Sequence, residues 1–206
     1  MRKLRFFLWI AVVLVAGLTV ALFASDEVRD LAFGTSGGGE GVAAIGGPFE
    51  MVDHTGEPVT QDDFVGQPAA YFFGFTHCPD VCPTTLYELA GWMQDLEGEA
   101  DNVQVVFVTV DPERDGPDEM ARYVQSFGDR ITGLTGTAEQ VGEMTDAWRV
   151  HVRKVPLEDD EEGDYTMDHT ASVFLMDSDN RFFGTIAFGE DGDSARAKLR
   201  RLARDG

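Results

Sequence analysis

Two continuous apolar segments set the strongest limit on how this chain folds. Residues 69–75 read AAYFFGF and residues 103–111 read VQVVFVTVD, and neither alternates between apolar and polar side chains. A strand that is apolar on both sides is typical of a parallel or mixed sheet whose two faces are both covered. The two segments therefore predict buried strands in an α/β domain.

The remaining elements follow from shorter patterns along the chain. The predicted order is a hairpin (49–60), a strand (69–75), a helix (84–100), a strand (103–111), two helices (117–127 and 138–150), two strands (169–177 and 180–188) and a C-terminal helix (193–206). Two cysteines lie between the first buried strand and its helix. This arrangement predicts a thioredoxin-like domain.

The N-terminal segment has a different composition. Residues 6–24 contain no charged side chain, and 19 residues of helix span about 28 Å, close to one hydrocarbon core. The exit sequence LFASDE is a poor signal-peptidase site. We therefore expect a basic stub and uncleaved transmembrane anchor over 1–24, a glycine-rich linker over 25–47 and the folded domain over 48–206. A cleaved signal peptide is the alternative.

The charges on either side of this segment indicate its orientation. MRKLR precedes the apolar run and acidic residues follow it, which favours a cytoplasmic N-terminus. The expected location is the inner membrane of a bacterium, crossed once, with the C-terminal domain in the periplasm. The whole chain has a formal charge of −21, which argues against nucleic acid as a partner.

The only two cysteines, Cys78 and Cys82, are four positions apart at a predicted helix start. One helical turn would place their sulfurs on the same face, and the helix N-terminus would favour thiolates. Three interpretations remain open. A structural disulfide would close only a short loop and add little stability. A redox pair usually has two intervening residues rather than three. A metal site would need a third ligand.

The histidines supply one candidate for that ligand. His169 precedes a predicted buried strand, in a segment that packs against the cysteine loop in a thioredoxin-like fold. Two thiolates and an imidazole form a soft site that suits copper. His54, His77 and His151 are expected to be ordinary polar residues. Asp80 is expected to cap the helix that carries Cys82.

Three segments of the chain resemble the signatures of the Sco/SenC family of copper metallochaperones: YFFGFTHCPDVCPTTL, VTVDPERDGP and DHTASVFLMD. The resemblance implies a membrane-anchored, thioredoxin-like protein that binds copper, as Cu(I) or Cu(II), through Cys78, Cys82 and His169. It also implies that Asp111 lies near the metal, as a weak ligand or beside the ligands, although a turn-forming role is the alternative. Asp168 matches the family pattern as well.

The same resemblance implies a function and its partners. The protein would deliver copper to the CuA site of cytochrome c oxidase subunit II and would itself depend on a periplasmic copper donor or thiol reductant. The alternative is a thiol–disulfide reductase that reduces the CuA-site cysteines, in which Cys78 and Cys82 are the catalytic redox pair and copper binding is incidental. A copper site requires His169, whereas a reductase does not.

Overall fold

The computed structural model describes residues 45–157 and 164–206. The predicted anchor and nearly all of the linker fall outside this part of the chain, as do residues 158–163. Within the described residues, no helix is long and apolar enough to span a bilayer.

The described elements are β1 (Glu50–Asp53), β2 (Pro58–Thr60), a 3-10 helix (Gln61–Phe64), β3 (Ala69–Gly74), α1 (Val81–Asp95), β4 (Gln104–Thr109), α2 (Pro117–Gln125), β5 (Ile131–Thr135), α3 (Ala138–Ala147), β6 (Val152–Pro156), β7 (Tyr165–His169), β8 (Val173–Met176), β9 (Phe182–Ile186) and α4 (Gly192–Asp205). Seven strands form one sheet in the order β2-β1-β5-β4-β3-β8-β9. β3, β4 and β5 run parallel, and the outer pairings are antiparallel. The sheet is therefore mixed, as predicted.

The two apolar segments become the centre of this sheet, β3 and β4, and both of its faces are covered. On one face, Phe107 of β4 packs against Tyr123 of α2, with ring centroids 5.3 Å apart. On the other face, Tyr71 and Phe73 of β3 pack against Trp148, which follows α3, at 4.5 and 5.4 Å. Every residue of β3 is buried, as the lack of alternation predicted.

Three strands were not predicted. β5 is a short strand interrupted by a glycine, and β6 and β7 pair only with each other in a separate two-stranded ribbon. Most ribbon side chains are exposed or half-buried, so the sequence there lacks the apolar run that marks a core strand. The prediction of one strand over 169–177 was wrong, because His169 ends β7 and β8 begins only at Val173.

The basic C-terminal helix, α4, packs on the domain through an apolar face. Three residues of this face are fully buried: Ala195, Leu199 and Leu202. Its basic side chains form ion pairs within the domain, including Arg196 with Asp95 of α1 (3.3 Å) and Arg200 with Glu99 just after α1 (2.5 Å). Acidic residues of the same domain thus partly neutralise the charge of α4. This favours the interpretation of its basic face as a solvated surface over that of a docking surface for an acidic partner.

Candidate metal centre

The two cysteines lie where β3 ends and α1 begins. Cys78 is half-buried in the connecting loop, and Cys82 is completely buried in the first turn of the helix. The backbone N–H of Cys82 donates to Cys78 Sγ at 3.3 Å, and the N–H of Cys78 donates to the carbonyl of Phe75 at 3.3 Å. The turn before the helix therefore directs both sulfurs to one side.

The start of α1 is capped differently from the sequence expectation. Asp80 occupies the N-cap position, but its side chain makes no capping hydrogen bond. The sulfur of Cys78 instead accepts a free N–H of the first turn, from Cys82. The helix N-terminus, with its partial positive charge, is thus directed at a sulfur atom that can carry a negative charge.

His169 reaches this pair from the ribbon. Its Nε2 lies 3.4 Å from Cys82 Sγ, and its Nδ1 lies 3.1 Å from the carbonyl oxygen of Thr170. Because a carbonyl can only accept a hydrogen bond, Nδ1 carries the proton in the neutral ring. The lone pair of Nε2 then faces the sulfur, as a metal-binding imidazole requires. The rings of Phe72 and Phe75 pack edge-on to the imidazole at 6.3 and 5.9 Å.

The two thiols differ in their acid–base behaviour. The hydrogen bond from the Cys82 side chain lowers the pKa of Cys78 to about 4, and the backbone N–H groups of Cys82 and Asp80 act in the same direction. The same bond to Cys78, together with burial, raises the pKa of Cys82. The reduced pair therefore holds its negative charge on Cys78 and one proton on Cys82. A metal ion bound by both sulfurs would displace that proton.

Gly74 at the end of β3 allows the buried sulfur to lie against the strand. A Cβ atom at this position would be 2.8 Å from Cys82 Sγ and 2.8 Å from the ring of Phe107. Both distances are shorter than van der Waals contact, so any residue with a Cβ atom at position 74 would displace the Cys82 sulfur or the Phe107 ring. A glycine within an apolar strand is a signal of close approach that could have identified this position from the sequence.

Asp115 is a second residue whose role near the cysteines was not predicted from the sequence. It is fully buried, and its carboxylate accepts hydrogen bonds from the Thr76 N–H (3.0 Å), the Thr76 hydroxyl (2.6 Å) and the Thr109 hydroxyl (2.7 Å). These bonds tie the loop that leads to Cys78 to the end of β4. Its only sequence signal is its place as the second aspartate of DPERD.

The two carboxylates expected near the metal have other partners. Asp111 is 3% exposed and accepts hydrogen bonds from Arg114 Nε (2.5 Å) and the Tyr165 hydroxyl (2.8 Å). Asp168 is half-exposed on the solvent side of β7, where it accepts from Arg153 at 2.9 Å. The side-chain hydrogen bonds of Asp111 and Asp168 are therefore made with arginine and tyrosine residues, and not with the cysteines or His169.

The other three histidines occupy ordinary positions. His54 accepts the backbone N–H of Gly133 through Nδ1 at 3.1 Å. His77 is about half-exposed, with its Nδ1 3.1 Å from the Thr76 hydroxyl. His151 is largely exposed, 3.9 Å from Asp168.

The donor set fits a soft metal ion better than a hard one. Cys82 contacts both Cys78 and His169, so two sulfurs and one imidazole nitrogen lie together. Across residues 45–157 and 164–206, no three His, Cys, Asp or Glu side chains are already spaced as ligands of one ion. Small side-chain movements would therefore have to accompany binding. Sulfur and imidazole donors favour copper or zinc over magnesium, calcium or manganese.

Comparison with known proteins identifies the family of this domain. A family model described as SCO1/SenC matches residues 38–204. This chain belongs to the SCO1/SenC family. It is also 46% identical over 143 residues to the SCO2 homolog, mitochondrial, of Mus musculus, covering 68% of this chain and 55% of that protein. The chain thus spans about half the length of the curated relatives that it matches.

Solved structures of SCO1/SenC relatives show the same architecture. ScoI of Bradyrhizobium japonicum with copper bound is 43% identical, with a TM-score of 0.70 over 77% of this chain and 99% of that one. ScoI of Arabidopsis thaliana with copper bound is 34% identical, with a TM-score of 0.73 over 79% and 100%. These likenesses confirm the α/β thioredoxin-like fold and the family predicted from the three sequence signatures.

Proposed function

We propose that this SCO1/SenC protein binds one copper ion through Cys78, Cys82 and His169 and delivers it to the CuA site of cytochrome c oxidase subunit II. The observation that carries the proposal is that Cys82 meets both other donors: its Sγ lies 3.4 Å from His169 Nε2, and its backbone N–H donates to Cys78 Sγ at 3.3 Å. Two structural relatives that cover most of this chain carry copper. The client follows from the family resemblance.

The geometry suits delivery as well as binding. Cys82 would hold the ion from the buried side, whereas Cys78 and His169 are only half-buried and lie on the more accessible side. A client thiolate or imidazole can approach from that side and replace the three donors by ligand exchange. When the copper leaves, Cys82 recovers the proton that binding displaced, so the chain returns to its starting state.

Copper titration of the reduced full-length chain tests this proposal. We expect one copper per chain, held more tightly than zinc, because zinc usually takes four ligands and the site offers three. Stoichiometry by metal analysis and competition with a Cu(I) chelator measure the result. Tighter binding of zinc than of Cu(I), or a copper stoichiometry independent of the cysteines, would contradict the copper assignment.

We also propose that residues 1–24 anchor the protein in a bacterial inner membrane, with residues 48–206 in the periplasm. The apolar run and the basic residues before it support this orientation. Alkaline phosphatase fused to the C-terminus should then be active in cells, and the same fusion without residues 1–24 should be inactive. An inactive full-length fusion, or a mature protein that lacks the first 24 residues, would rule out the anchor.

Thiol–disulfide reduction is the second candidate function, and the asymmetry of the pair favours it. Cys78 is the more accessible sulfur and has a lowered pKa, whereas Cys82 is buried and protonated. The Cys78 thiolate would attack a client disulfide and release one client thiolate. Cys82, on losing its proton, would attack the mixed disulfide and release the second. Two electrons pass to the client, and Cys78 and Cys82 become a disulfide.

A further inference from the structure

The position of His169 depends on a ribbon that lies outside the main sheet. Among the described strands, β6 and β7 pair only with each other, with His169 opposite Val152 at the end of β7. Two hydrogen bonds close the ribbon at that end. The Thr170 N–H donates to the His151 carbonyl at 3.0 Å, and the His151 N–H donates to the Thr170 hydroxyl oxygen at 2.9 Å. Val152 and Met167 pack against the core, and contacts between the other end of the ribbon and the domain add to what holds β7 against the cysteines.

Three residues join that other end to the loop after β4. The Arg114 guanidinium donates to Asp111 Oδ2 through Nε (2.5 Å) and to the Tyr165 carbonyl through Nη1 (3.0 Å). The Tyr165 hydroxyl donates to Asp111 Oδ1 at 2.8 Å. Asp111, Arg114 and Tyr165 thus form a closed ring of hydrogen bonds, here named the ribbon anchor. Both carboxylate oxygens of Asp111 are used in it.

Cation–π contacts reinforce the ribbon anchor. The Arg114 guanidinium lies over the Tyr165 ring, 3.8 Å from its centroid, and Lys154 of β6 lies 3.7 Å from the same centroid. Lys154 also binds Glu113 at 2.7 Å, so both strands of the ribbon are tied to the loop after β4. A cation over an aromatic face is attracted by the negative charge density of the ring, more strongly where water is excluded.

The ribbon anchor has a direct path to the candidate metal site through Phe75. The Arg114 guanidinium lies 5.9 Å from the centroid of the Phe75 ring, and the His169 ring packs edge-on to Phe75, also at 5.9 Å. The backbone carbonyl of Phe75 accepts the N–H of Cys78. The Phe75 ring therefore touches the ribbon anchor and the third ligand, while the backbone of the same residue holds the cysteine loop.

We infer that Asp111, Arg114 and Tyr165 are positioning residues that hold β7 so that His169 meets Cys82. The inference rests on the proposed function, since it concerns how the copper site is kept assembled. It assigns Asp111 to the support of the ribbon.

Tyr165→Phe is the sharpest test, because it removes the hydroxyl that donates to Asp111 and keeps the ring that contacts Arg114 and Lys154. We expect Cu(I) affinity of the reduced full-length chain to fall about tenfold, the lower end of what the loss of an outer contact costs a metal site. In the His169→Ala background the same change should cost nothing further, because the ribbon anchor acts through His169. Equal losses in both backgrounds would overturn the inference.

A metal-free measurement separates this inference from the proposed function. The imidazole NMR signals of His169 in the reduced chain should shift or broaden in Tyr165→Phe and in Arg114→Lys. They should not change in Arg153→Ala, which breaks the exposed ion pair with Asp168 on the solvent side of the same ribbon. Unchanged His169 signals in both anchor variants would overturn the inference, whatever the copper affinity. Failure of the unmodified chain to bind copper would overturn the proposed function, while these signals would still test the anchor.

Discussion

Oxidation of Cys78 and Cys82 to a disulfide is expected to abolish copper binding, and reduction is expected to restore one copper per chain. When an added oxidant takes two electrons from the two thiolates, the other two electrons form the S–S bond, which leaves His169 as the only remaining donor of the three. The spacing permits the bond, because the two residues are one helical turn apart and the Cys82 N–H already reaches Cys78 Sγ at 3.3 Å. The copper content should therefore follow the redox state of this pair.

Metal analysis of the chain before oxidation, after oxidation and after re-reduction measures this effect, with thiol alkylation to report the state of the pair. Cys82→Ser provides the matched control, since it cannot form the intramolecular bond. Its weaker copper binding should be the same before and after mild oxidation. Retention of one tightly bound copper by the fully oxidised chain would show that the sulfurs are not its ligands.

Local sequence patterns predicted the centre of the fold and the place of the cysteines. β3 and β4 are buried on both sides, so their apolar runs are visible within seven to nine residues of sequence. The strand–cysteine–helix order also depends on neighbouring residues alone. Asp80 shows the limit of this reasoning, since its residue type favours an N-cap but the Cys78 sulfur takes that hydrogen bond.

The ribbon could not be predicted because its stability comes from residues distant in sequence. Tyr165 and Asp111 are 54 positions apart, and neither β6 nor β7 has an apolar run of its own. The chemistry of His169 was visible in the sequence, whereas its location at the end of β7 depends on these long-range contacts. The role of Arg114 could not be predicted for the same reason, because its partner Tyr165 is 51 positions away in the sequence. Its neighbours in the sequence indicate only a charged residue in a turn.

His169→Ala should sharply weaken copper binding while leaving the thiol pair able to cycle. The variant removes one of three donors, so the loss should exceed the roughly 10–100-fold that follows the loss of an outer contact. Any Cu(II)–thiolate absorption should shift or disappear. The turn that holds the sulfurs does not depend on the imidazole, because it is fixed by backbone bonds to Cys78 Sγ and Phe75. His151→Ala, an exposed histidine of the same ribbon region, should bind copper normally.

The same variant distinguishes the two candidate functions in cells. A metallochaperone needs His169 to retain its cargo, so His169→Ala should fail to support oxidase assembly when copper is scarce. A thiol–disulfide reductase needs only Cys78 and Cys82, so the variant should then work as well as the unmodified protein, whereas Cys78→Ser should fail under either function. Two results together would therefore reject copper delivery: full oxidase activity in cells with His169→Ala at limiting copper, and loss of oxidase activity in cells with Cys78→Ser. The cysteines would then act as a redox pair alone.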